Sequence, residues 1–130
     1  MFKYKGIAHY RNYVKEYQYN TVTQVSEYGF VTTRDIQIKL TDDTEIFIPK
    51  GTHTDLASVP RPLWAFVPPF GKYTFAAVIH DYLYEHGLKT KSFADKEFRY
   101  IMDASGVAKH RARIMYTSVK IFGRGNFTKE

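Results

Sequence analysis

The stretch "AAVIHDYLYEHG", residues 76–87, decides how the chain is read. With Tyr73 just before it, its residues Ala76, Ala77, His80, Leu83 and Tyr84 recur at the three- and four-residue steps of one helical face, and Gly87 is a suitable stop. The spacing predicts a helix whose apolar stripe carries a histidine, with an aspartate beside it. The same period returns twice downstream. A second helix is predicted from near Ser92 through Ala94, Phe98, Ile101 and Met102 to Gly106, and a third through Val107, Arg111, Ile114, Met115, Ser118, Val119 and Phe122 to Gly123. Residues 73–123 therefore read as a helical region, followed by a tail over 124–130.

Upstream the period changes to two. In "RDIQIKLTDDTEIFIPKG", residues 34–51, Ile36, Ile38 and Leu40 alternate with Asp35, Gln37 and Lys39. Thr41 to Asp43 supply turn chemistry, and "TEIFIP" returns as a second strand, so a hairpin is predicted over 34–49. Further back, Tyr10, Tyr13, Val14 and Tyr17 fit a helical step, whereas Tyr17 and Tyr19 fit a strand. Strands are favoured, which makes residues 1–50 mainly strand. Residues 51–72 hold four of the five prolines and form a structured connector rather than one regular element. The expected architecture is a single α+β domain over 1–130, with antiparallel strands first and a three-helix half last.

Composition agrees with a folded domain. The chain has 130 residues, 44% of them hydrophobic and 25% charged, far from the balance of a disordered chain. No run approaches the roughly 18 apolar residues of a membrane span, and the N-terminus lacks a signal peptide's apolar core, so a cytoplasmic chain is expected. The absence of cysteine excludes thiolate zinc sites and thiol nucleophiles, leaving oxygen or imidazole to hold any metal. A formal charge of +6 favours anionic partners: phospholipid, nucleic acid or an acidic protein. The 11 Tyr and 10 Phe suit base stacking, a membrane interface or an aromatic core alike.

The candidate site grows from the opening stretch. His80 and Tyr84 lie one turn apart on the same face, and Asp81 is turned away by about 100°. A histidine on a buried stripe needs hydrogen-bond partners, and Asp95 in "KSFADKEFRY" sits one short connector later on a helix that would fold back antiparallel. His80 backed by Asp95 makes a general base able to activate water, with Asp81 available to a hard cation. Ordinary explanations stand beside each assignment. His80 can be a satisfied core residue, Asp95 the acid of a capping box begun by Ser92, and Asp81 a solvated side chain. Asp55 in "THTDLASVP" is either a second acid at the site or the cap of a short turn, and His53 either a further ligand or an exposed loop residue. Lys109, Arg111, Arg113 and Lys120 either contact phosphates or form a solvated face. Arg111, falling on the apolar stripe, can also pair with a buried acid such as Asp55, Asp81 or Asp95.

Taken in order, "GTHTDLASVPRPLW", "PPFGKYTFAAVIHDYLY", "SFADKEFRYIM" and "YTSVKIFG" resemble an uncharacterised family of phage and prophage proteins, a domain of unknown function. The resemblance covers about residues 45–123 and implies a phage or prophage origin, hence a host cytoplasm or a virion as location. More distantly, "HDYLY" is similar to the His-Asp-x-x-Tyr helix of the secreted phospholipase A-two superfamily, and "ADKEF" to a pattern of its parvoviral branch. That resemblance implies a calcium-dependent hydrolase of phospholipid or another anionic ester. It makes His80 the base, Asp81 a calcium ligand, and Asp95, bonded to Tyr84, the group that orients the base. The sequence departs from it in lacking the glycine-rich calcium loop, since Gly71 stands alone. Calcium takes six to eight oxygens, and Asp55 is the candidate for the missing acid. Three readings stay open: a metal-assisted hydrolase, a non-catalytic phage structural or assembly protein that binds other virion proteins, and a basic module for a host factor or nucleic acid.

Overall fold

Ile36, Ile38 and Leu40 do point inward from one strand of a hairpin, all three buried. In the computed structural model, which describes residues 2–19, 21–25, 29–54, 71–87 and 89–122, β3 (Ile36–Lys39) pairs antiparallel with β4 (Glu45–Ile48), Ile36 opposite Ile48 and Lys39 opposite Glu45. The turn between them places Asp43 at φ 68°, a left-handed position that Asp tolerates better than most residues, and the neighbouring Asp42 carboxylate accepts from the Thr44 amide at 3.1 Å. Before the hairpin come α1 (Phe2–Tyr17), β1 (Val22–Gln24) and β2 (Phe30–Thr32), and after it β5 (His53–Thr54). The strands β1, β2 and β5 form a small antiparallel sheet in that order. A 3-10 turn (Gly71–Tyr73) then leads into α2 (Thr74–His86), α3 (Lys91–Ala104) and α4 (Lys109–Phe122). The α+β order, strands followed by a three-helix half, is as expected. Most of the proline-rich connector, with Asp55, lies outside the described residues, as does the tail.

The N-terminal segment corrects the sequence reading. Residues expected as strand are helix from Phe2 to Tyr17, because the helical step of Tyr10, Val14 and Tyr17 is the one that buries them. A two-stranded ribbon is marginal alone and its edge invites pairing; α1 covers that edge. The Nε2 of His9 donates to the Lys39 carbonyl at 2.7 Å, the Lys39 amide donates to the Tyr13 hydroxyl at 3.1 Å, and the Gln37 amide to the Tyr17 hydroxyl at 3.3 Å. Tyrosine hydroxyls thus complete the ladder that a third strand would otherwise supply. The two-residue step of Tyr17 and Tyr19 fits a strand locally, yet the tyrosine hydroxyls of the helix serve a strand from the side.

The third helix is the hub, packed against α1, α2 and α4. It begins at Thr90, whose side chain accepts from the Phe93 amide at 3.1 Å, so Thr90 and not Ser92 is the cap, and Asp95 serves no capping role. Gly6 on α1 lies under the ring of Tyr100 so closely that a methyl group there would stand 2.6–2.7 Å from ring carbons. Glu97, on the buried stripe of α3, is 1% exposed. It accepts from the Tyr10 hydroxyl at 2.6 Å, the Thr41 amide at 2.9 Å and the Thr41 hydroxyl at 2.7 Å. One carboxylate therefore ties α1, α3 and the hairpin turn together. Burial, and then the charge of Glu97, push the Tyr10 hydroxyl far above the usual tyrosine range. Gly87 ends α2 in the left-handed conformation, φ 59°, with its amide turned back to the Leu83 and Tyr84 carbonyls. No described helix is long and apolar enough to cross a membrane.

Candidate active site

The second helix is buried along almost its whole first half, from Thr74 to Asp81, and again at Leu83 and Tyr84. His80 therefore has no exposed surface. Its ring packs between those of Tyr84, centroids 4.0 Å apart, and Phe98 of α3, 4.6 Å apart. The antiparallel return of α3 brings Asp95 to it: Nε2 of His80 lies 2.8 Å from Asp95 Oδ1. The Tyr84 hydroxyl donates to the same oxygen. Asp95 Oδ2 accepts from Lys91 Nζ at 2.8 Å, one turn earlier on α3. Lys91 also donates to the carbonyls of Val119 and Lys120, each at 3.0 Å, where a cation suits the negative end of α4. The cluster thus spans three helices.

Its electrostatics follow from these partners. Burial alone would raise the Asp95 carboxyl, but hydrogen bonds from His80, Lys91 and Tyr84 outweigh that and hold it below the ordinary aspartate value. An ionised carboxylate only accepts, so Nε2 of His80 carries a proton, and in the neutral ring Nδ1 is then the basic nitrogen. This is the arrangement of a general base oriented by a carboxylate.

Of the residues singled out in the sequence, the structure brings His80, Tyr84 and Asp95 together and leaves Asp81 apart from them. Asp81 is 3% exposed, which excludes the solvated reading. It lines a cleft of about 10 Å³, the space of one water, with Thr32, His53, Thr54, Tyr82 and Glu85. Although a histidine and two acids line that cleft, among the described residues no group of three His, Asp or Glu converges to hold a metal ion. Asp55 lies outside the described residues. Among the described residues the donors fall short of a calcium shell.

One further assignment changes. Arg111 is exposed, because the buried face of α4 runs through Ala112, Met115, Ser118 and Val119; the cation on Asp95 is Lys91. The Lys91–Asp95 step of four was legible as a helical ion pair. Glu97 also went unread, though an acid among Ala94, Phe98 and Ile101 on an apolar stripe signals a buried carboxylate in need of donors.

Comparison with known proteins gives the chain a family. The family model described as "Protein of unknown function (DUF1353)" matches residues 30–119. The chain belongs to the DUF1353 family. The DUF1353 match runs from β2 into α4 and includes His80, Asp81, Tyr84, Lys91 and Asp95, whereas α1 lies outside it. Two uncharacterized proteins of Sinorhizobium fredii (strain NBRC 101917 / NGR234) are similar to the chain. One, y4jT, is 40% identical over 78 residues, covering 58% of this chain and 23% of its own length. The other, y4iH, is 38% identical over 76 residues, covering 57% and 32%. The chain therefore spans less than a third of either curated relative. No solved structure matches it.

Proposed function

We propose that this DUF1353 protein is a hydrolase of anionic esters, phospholipid among them, that uses His80 as general base. The observation that carries the reading is Asp95, which accepts from both His80 and Tyr84 from the neighbouring helix. That is the relation the phospholipase-like motif implies. Nδ1 of His80 takes a proton from water as the water oxygen attacks the ester carbonyl carbon and the carbonyl pair moves onto its oxygen; that pair then returns, the C–O bond to the alcohol breaks, and the leaving oxygen takes the proton back from Nδ1. Asp95 holds the ring's orientation and stabilises the imidazolium formed, and Tyr84 fixes Asp95. Asp81 and Asp55 are the carboxylates to be tested as calcium ligands.

A second reading rests on the complete burial of His80. In it the cluster only fastens α2, α3 and α4, and the protein is a non-catalytic phage structural or assembly component of virion or host cytoplasm. Hydrolysis of a fluorogenic phospholipid panel, with calcium or chelator, by wild type and a folded His80→Asn variant separates the two. Turnover that the variant loses supports the hydrolase, and its calcium dependence decides the metal. No turnover from either, with a large drop in melting temperature for the variant, establishes the fastening role instead.

A further inference from the structure

The fourth helix presents a face that its packing does not use. Its inner side, Ala112, Met115, Ser118 and Val119, is buried. Outward it carries Lys109, His110, Arg111, Arg113, Ile114, Thr117, Lys120 and Ile121, all exposed. Two of these are large aliphatic residues left in contact with solvent, Ile114 at 42% and Ile121 at 65% exposure. They are seven residues apart, so they stand within about 20° of one another on the helix and form one row with His110 and Thr117. Arg113 and Lys120 flank that row about 100° round on one side, and Arg111 stands about 60° round on the other.

The charge of this face is of one sign. The helix, KHRARIMYTSVKIF, contains no acid. Among the described residues the ion pairs are Arg34–Glu16, His80–Asp95, Lys89–Asp42, Lys91–Asp95 and Arg99–Asp103, so none of the four formal cations of α4 is neutralised by one. At its start Lys72 adds a further cation across a cleft of about 440 Å³ that His110 and Arg111 also line.

We propose that this face of α4 is a docking surface for an anionic phospholipid bilayer, lying flat on it with Ile114 and Ile121 inserted at the headgroup level and the cations on the lipid phosphates. An aliphatic row flanked by Lys and Arg is what an interfacial helix needs, because its long cationic side chains reach headgroups while the apolar row enters the acyl boundary. A nucleic-acid backbone would take the cations but has no use for the two isoleucines. The surface goes beyond the His80 reading and does not depend on it, since binding requires no turnover.

The test is co-sedimentation of the full chain with vesicles of phosphatidylcholine alone and with about one-third phosphatidylserine. The serine-containing vesicles should retain the protein, and retention should fall with salt. The double variant Arg113→Gln/Lys120→Gln should bind about 25-fold more weakly, about fivefold per cation removed near an anionic surface. Ile114→Ser/Ile121→Ser should weaken binding at least about tenfold. All four positions are exposed, so melting temperatures should stay at the wild-type value. The proposal is overturned if the two vesicle types bind alike, if neither double variant weakens binding, or if duplex DNA is retained instead and the isoleucine variant binds it as wild type does. Failure here leaves the assignment of His80 standing, and absence of hydrolysis leaves this surface standing.

Discussion

Asp95→Asn keeps the size of the side chain and removes its charge, so it tests the centre of the cluster directly. Asp95 accepts from His80 at 2.8 Å, from Lys91 at 2.8 Å and from Tyr84. Asparagine offers one acceptor oxygen. Facing His80 and Tyr84 with it turns the amide N–H₂ towards the Lys91 ammonium, which is already 27% exposed and would swing outward. A hydrogen bond involving a charged group contributes about 1.5–3 kcal/mol. Losing the Lys91 bond and weakening the other two from an ionic to a neutral acceptor should therefore cost about 3 kcal/mol in all. With an unfolding entropy of about 2.1 cal/mol/K per residue over 130 residues, that is a fall in melting temperature of about 11 °C. The pH dependence has a definite sign. Because the folded carboxyl sits below its unfolded value, its contribution is fully present above about pH 3.9 and is lost as pH falls through the lower folded pKa. Melting curves of both proteins by circular dichroism should show the gap at neutral pH and its closing in stronger acid. A variant that melts within about 2 °C of wild type at neutral pH would refute a charged hub at Asp95. So would a gap that persists unchanged in acid.

The other expectations concern the packing that presents the site. Glu97→Ala leaves the buried Tyr10 hydroxyl and both half-buried Thr41 donors without their acceptor and should destabilise by about 3 kcal/mol, whereas Tyr10→Phe should cost about 1–2 kcal/mol; urea unfolding measures both. Gly6→Ala forces α1 away from Tyr100 and should cost about 1–2 kcal/mol even after alanine's better helix propensity, a loss visible as a lower urea midpoint. Thr90→Ala removes the bond to the Phe93 amide and should cost about 1 kcal/mol by the same assay.

Much of the fold was legible because it rests on periodicities that a few neighbouring residues carry. The alternation of Ile36, Ile38 and Leu40 located the hairpin, and the steps from Tyr73 to Tyr84 and from Ala94 to Met102 located two helices and their facing stripes. The pairing of His80 with Asp95 was legible for the same reason: two adjacent helices with a short connector bring fixed positions together. The first helix was not, since its tyrosines answer to the edge of a strand 20 and 26 residues away, and no local pattern records that demand. Thr90 displaced Ser92 as the cap because capping depends on where the backbone leaves the helix.

The charges divide along the same line. Residue types and their spacing determined that a histidine, a tyrosine and an acid share one side of two helices, and that the last helix is basic. Only tertiary packing decided that Lys91 rather than Arg111 meets Asp95, that Asp81 faces the cleft beside β5, and that Glu97 joins α1 to the hairpin. An ionisable side chain reaches across elements by several ångströms, and which oppositely charged group it finds depends on how the helices rotate and stack, which one-dimensional spacing does not encode.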